Sequence, residues 1–148
     1  SYAAVKNPIT ILSDKNAPKT FTPGSLDLIL KVSAVMGYKE PGSGQTVSYD
    51  RTQYVHHLLL QKANGDFYLV LWHDISDEDG NVHPHRVITP PDMPTMIALP
   101  ASIKTATVYR VNDGPNGLPV PIKAGEISLN VPDRVIVVKL SAKKPQPR

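Results

Sequence analysis

The stretch "HHLLLQKANGDFYLVLWHD", His56 to Asp74, decides the fold of this chain. Two apolar runs flank Asn64-Gly65, a dipeptide that marks a β-hairpin because a type I′ turn needs positive φ at both central residues. A two-residue loop sets Leu58 opposite Leu71, Leu60 opposite Leu69 and His57 opposite Trp72. Side chains alternate between the two faces of such a ribbon. One face then holds Leu58, Leu60, Phe67, Leu69 and Leu71, with His56 and His73 at its far end. This face is core, and each buried Leu or Phe contributes about 1.5–3 kcal/mol. The other face holds Val55, His57, Leu59, Gln61, Tyr68, Val70, Trp72 and Asp74. A solvent face seldom carries Trp, Tyr, Leu and Val together, and a sealed core seldom takes Gln and His. Such a face suits contact with a sugar, with a neighbouring domain, or with a covering loop of its own domain. For a sugar, the Trp72 and Tyr68 rings would stack on pyranose C–H groups. His57, Gln61 and Asp74 would then bond the hydroxyls.

Outward from the hairpin, the same period of two recurs in "SLDLILKV" (Ser25 to Val32), "TMIALP", "IKTATVYRV", "GEISLNV" and "RVIVVKL". Turn residues separate these runs, and 15 prolines argue against long helices. About eight short strands follow, the pattern of an all-β antiparallel sandwich of jelly-roll or immunoglobulin-like type. Residues 37–53 and 74–94 read as long polar connections, with a short strand around Arg86 to Thr89. A short helical turn fits Asn7 to Leu12. One domain spans residues 1–140, and residues 141–148 read as a disordered tail or linker stub.

The 148 residues suit one domain, and an apolar share of 41% suffices for one core. Without cysteine there is no disulfide, no thiolate chemistry and no Cys-ligated zinc. The net charge of +3 is scattered, and only "SAKKPQPR" is locally basic, so nucleic acid is not an expected partner. No run approaches the roughly 18–20 apolar residues of a membrane span. The chain starts at Ser1 rather than Met, as a product cut from something longer would.

Catalytic motifs are sparse. His56, His73, His83 and His85 invite a zinc reading, but strand-end and loop imidazoles bonded to carbonyls are the simpler one. "DISDEDG" gathers four acids, and a structural calcium at Asp74, Asp77 and Asp79 competes with a solvated acidic turn. The EF-hand register fails, because it puts Ile75 first and Arg86 twelfth. No cofactor is otherwise expected. The acids fall almost all in turns, whereas glycoside hydrolysis needs two across a cleft. No nucleophile elbow or phosphate loop is present in the sequence.

Three segments carry a family resemblance: "TFTPGSLDL", "HHLLLQKANGDFYLVLWHD" and "GEISLNVPDRVIVVKL". Together they resemble the C-terminal β-sandwich domain appended to many bacterial secreted glycoside hydrolases, in which a catalytic (β/α)8 barrel comes first. The likeness extends over about residues 9 to 140. It implies a carbohydrate-active, extracellular setting, in which such a sandwich is often a passive partner of the barrel and sometimes a carbohydrate-binding module. Joined to the polar-aromatic face of the hairpin, it leads to the expectation of a secreted, non-catalytic module whose partners are a polysaccharide and the catalytic domain of the same parent chain. Within it, the glycan contacts expected are Trp72, Tyr68, His57, Gln61 and Asp74, with Tyr38 and Tyr49 from a flanking loop. A purely structural domain packed on the barrel is the alternative, and a small metal-dependent hydrolase a further one.

Overall fold

The structure, a computed structural model, describes residues 2–50 and 52–143. It is an all-β sandwich with one α-helix. In chain order the described elements begin with α1 (Tyr2–Leu12), β1 (Ile29–Val32), β2 (Val35–Lys39), β3 (Thr46–Tyr49), β4 (Val55–Gln61) and β5 (Phe67–His73). The arm β6 (Glu78–Asp79) and β7 (Arg86–Val87) follows. The chain continues through β8 (Met93–Ala98), β9 (Thr105–Arg110), β10 (Leu118–Val120), β11 (Glu126–Val131) and β12 (Ile136–Ser141). Twelve described strands thus replace the expected eight.

A five-stranded antiparallel sheet runs in the order β10-β9-β12-β5-β4, and a three-stranded sheet in the order β1-β8-β11. Their inner faces meet in one core. Leu69 and Leu71 of β5, Ile136, Val138 and Leu140 of β12, Ile97 of β8, and Ile127 and Val131 of β11 are buried there. The additional strands come from segments read as loops. Residues 37–53 contribute to the β2–β3 hairpin, because Val35, Tyr38, Val47 and Tyr49 supply β-formers despite the glycines. Gly37, at φ 65°, allows the register shift between Val35 and Tyr38.

The central hairpin differs from the sequence expectation by one residue. The strands pair His56 with Trp72, Leu58 with Val70, and Leu60 with Tyr68. Its turn is a three-residue loop, with the Lys62 amide donating to Asp66 O at 3.0 Å and the Gly65 amide to Lys62 O at 2.9 Å. Only Gly65 takes positive φ (93°), so Asn64 escapes the left-handed conformation that a type I′ turn would demand. The Asn64 side chain instead accepts from the Asp66 amide at 2.9 Å. Asp66 is then fixed from across the sheet, accepting from Ser141 Oγ at 2.7 Å and lying 3.1 Å from Lys139 Nζ.

This shift leaves the faces of β5 as expected and inverts those of β4. Leu59 and Val55 pack on the core, while Leu58 and Leu60 turn outward, 52% and 38% exposed. The outward side of β5 is not open either. Tyr68, Val70, Val111 and Val137 form a second buried cluster, with Ile11 and Leu12 of α1 laid against it. The buried Asn7 side chain donates to Val111 O at 2.7 Å and ties the helix to the sheet. The helical turn expected from Asn7 is therefore the second half of an 11-residue helix that roofs this face. Ser141, the first residue of the expected tail, instead closes β12 and is buried. Residues 144–148 lie outside the described residues.

Candidate functional site

The residues expected to form a glycan platform do not share one surface. Tyr68 is 6% exposed beneath α1, and burial pushes its phenol pKa up. The Lys62 ammonium sits 4.5 Å from its ring centroid. Trp72 is half-buried, and its ring is stacked on His56, 5.6 Å between centroids and 30° between planes. Gln61 and His57 belong to the opposite face of β4, a direct consequence of the register. There Gln61 Oε1 accepts from the Gly24 amide at 2.6 Å. Asp74 stays exposed next to Trp72's strand and lies 2.9 Å from His56 Nε2, close without the alignment of a hydrogen bond. What assembles around Trp72 is therefore a His56–Trp72–Asp74 trio on the rim of the large sheet.

Tyr38 and Tyr49 sit on the β2–β3 hairpin as an edge-to-face pair at 6.2 Å. The Tyr38 hydroxyl donates to Thr89 O at 2.6 Å, fixing the hairpin to the segment after β7. Glu40 completes this joint. Its side chain, 2% exposed, accepts from the Ser43 amide at 2.6 Å, the Gly42 amide at 2.9 Å and the Arg86 guanidinium at 2.7 Å. Hydrogen bonds from Ser43, then from Gly42 and Arg86, hold its carboxyl far below the usual range. Sequence reasoning missed Glu40, because "KEPGSGQ" reads as a flexible loop.

The acids once considered for calcium diverge. Asp79 accepts from the Asn81 amide and lies 3.7 Å from Arg86 Nη2, while Asp74 belongs to the His56 contact. His85 pairs with Glu78 at 2.7 Å, and His73 is buried at the end of β5. Among the described residues, no three His, Asp or Glu side chains are grouped to hold a metal ion.

A different region forms a cleft of about 450 Å³ at one end of the sandwich. Four segments build it: the end of the β5–β6 connection at Asp77, the segment after β7, the turn after β9 and the turn between β11 and β12. Arg110 and Ile136 are register partners, so the last two are brought side by side by the sheet itself. Asp77, Asp92, Asp113 and Asp133 line the cleft together with Arg110, Arg134 and Asn112. Ile88, Pro90 and Pro132 supply apolar wall. The ion pairs found among the described residues all lie elsewhere. No local motif could have announced this site, as its residues are scattered from 77 to 136.

Behind the cleft, His73 is 2% exposed, donates its amide to Pro132 O at 3.0 Å, and accepts from the Ile75 amide at Nδ1. Burial lowers its pKa, against the opposing pull of Asp133 and Asp92. Compared with known proteins, the chain matches no family model, no curated protein and no solved structure.

Proposed function

We propose that this sandwich is a non-catalytic accessory domain of a secreted polysaccharide-degrading enzyme, held against the catalytic domain of the same polypeptide by the outward side of β4. The observation that supports this reading is the exposed pair Leu58 and Leu60 on the outermost strand of the large sheet. Edge strands are commonly protected by Lys, Pro or a bulge. Val55–Gln61 contains neither Lys nor Pro, and it pairs with β5 without a register shift. Covering the part of each leucine that is still exposed contributes about 1 kcal/mol. Val5 and Ile9 of the helix that roofs the same sheet are exposed as well. His56 and Asp74 supply the polar rim usual at interfaces between domains. The likeness of the hairpin and terminal strands to sandwiches appended to glycoside hydrolases supplies the enzymatic context.

The two buried carboxyls also suit a structural role. Glu40 and Asp66 are both held ionised by hydrogen bonds, whereas glycoside hydrolysis needs one carboxyl kept protonated as the acid. Calorimetry of the full polypeptide tests the proposal. The expected result is one joint transition for sandwich and catalytic domain. Leu58→Glu with Leu60→Glu splits it in two, yet leaves the Tm of the isolated 148-residue chain unchanged. Two transitions in the wild type, or a reading frame that codes for no catalytic domain, overturn it.

A further inference from the structure

The end-of-sandwich cleft carries a second inference, independent of the docking surface on β4. We infer that the cleft binds an uncharged, polyhydroxylated ligand, a segment of neutral polysaccharide, between the β7–β8 connection and the β11–β12 turn. Three observations converge on it. Its volume of about 450 Å³ falls in the range of small-molecule sites, about 300–1,000 Å³. Its polar lining is mixed in kind: the carboxylates of Asp77, Asp92, Asp113 and Asp133 only accept, while the guanidiniums of Arg110 and Arg134 only donate. A hydroxyl both donates and accepts, so vicinal hydroxyls match this alternation.

The third observation is the state of these groups. The two buried carboxylates of the chain are paired, Glu40 with Arg86 and Asp66 with Lys139. In the cleft, none of the four carboxylates forms an ion pair with Arg110 or Arg134, although all six line one cavity. Their hydrogen-bonding capacity is left to solvent or ligand. Pro90, Pro132 and Ile88 offer flat apolar wall for the C–H side of a sugar ring, in a cleft whose lining includes no aromatic side chain.

Charge decides between ligand classes. A polyanionic glycan would meet four carboxylates against two guanidiniums, an excess of two like charges. A metal ion would need three grouped ligands, which the described residues do not provide. A neutral chain meets neither obstacle.

Affinity electrophoresis of the isolated chain tests this with xylan, mannan and a mixed-linkage β-glucan as neutral probes and polygalacturonate as the anionic one. At least one neutral polymer retards the wild-type chain, and polygalacturonate does not. Asp92→Ala with Arg134→Ala weakens the retardation at least tenfold. Trp72→Ala leaves it within twofold, since the indole lies outside the cleft. Unchanged thermal midpoints show that the variants are folded, as both replaced side chains are exposed. Retardation by none of the neutral polymers overturns the inference. So does equal retardation by polygalacturonate, or loss on Trp72→Ala rather than on the double variant. None of these results bears on the docking of β4, which calorimetry reads separately.

Discussion

The outward side of β5 and the cleft at the end of the sandwich both hold polar groups, yet they use them in opposite ways. On the sheet, Tyr68, Val70 and Val137 are sealed beneath α1, and nearby polar groups are fixed: Asn7 to Val111, Asp66 to Ser141 and Lys139. At the cleft, charged side chains from four segments stand without ion pairs. The contrast teaches that polar and aromatic content does not mark a binding face. What distinguishes the two regions is whether the hydrogen-bonding groups already have partners within the fold.

The contrast breaks most readily at the covered face. Tyr68→Ala should cost about 3–5 kcal/mol, the range for removing a large buried ring, read as a lowered urea midpoint. If that variant unfolds within about 0.5 kcal/mol of wild type, the roof is not a working part of the fold. Asn7→Ala should cost about 1–3 kcal/mol, because the buried Val111 carbonyl loses its donor. Gly65→Ala should follow at about 1–2 kcal/mol, since its φ of 93° is left-handed. A neutral result there would show that position 65 is not held at positive φ in the folded chain.

Acid sharpens the comparison further, with smaller effects. His73 has a folded pKa pushed below its ordinary value by burial, so the unfolded chain binds the proton more readily. Its contribution is complete above about pH 6.5 and is lost as the pH falls through the lower folded value. The urea midpoint should therefore drop between pH 7.5 and pH 5, and His73→Phe should flatten that drop. For Asp66, burial raises the carboxyl but hydrogen bonds from Ser141 and Lys139 outweigh it, and the net shift is downward. Its contribution is intact above about pH 4 and fades only below that. The smallest effect belongs to the cleft: Arg134→Ala, on an exposed and unpaired side chain, should change stability by less than about 0.5 kcal/mol.

Much of the fold was legible in the sequence, and the reason the rest was not is local. β5 alternates Phe67, Leu69 and Leu71 against Tyr68, Val70 and Trp72, a pattern with only one core face. β4 offers Leu58, Leu59 and Leu60 in succession, which reads equally well in either register. The turn had to decide, and Asn64-Gly65 fits both a two-residue loop and a three-residue loop with glycine at its end. That single ambiguity moved Gln61 and His57 away from Trp72. The helix was half hidden by Pro8, which discourages a helical reading of the residues before it. The cleft was not legible at all, since strand order alone brings residues 77, 92, 110 and 133 together.

One consequence follows from the helix that lies over the large sheet. It is a lid made from the first described residues of the chain, fastened by Asn7, Ile11 and Leu12. Trimming the polypeptide at Ser13 would strip the hydrophobic ceiling from Val70 and Val137, and the truncated product should clump and stain with dyes that seek greasy surfaces.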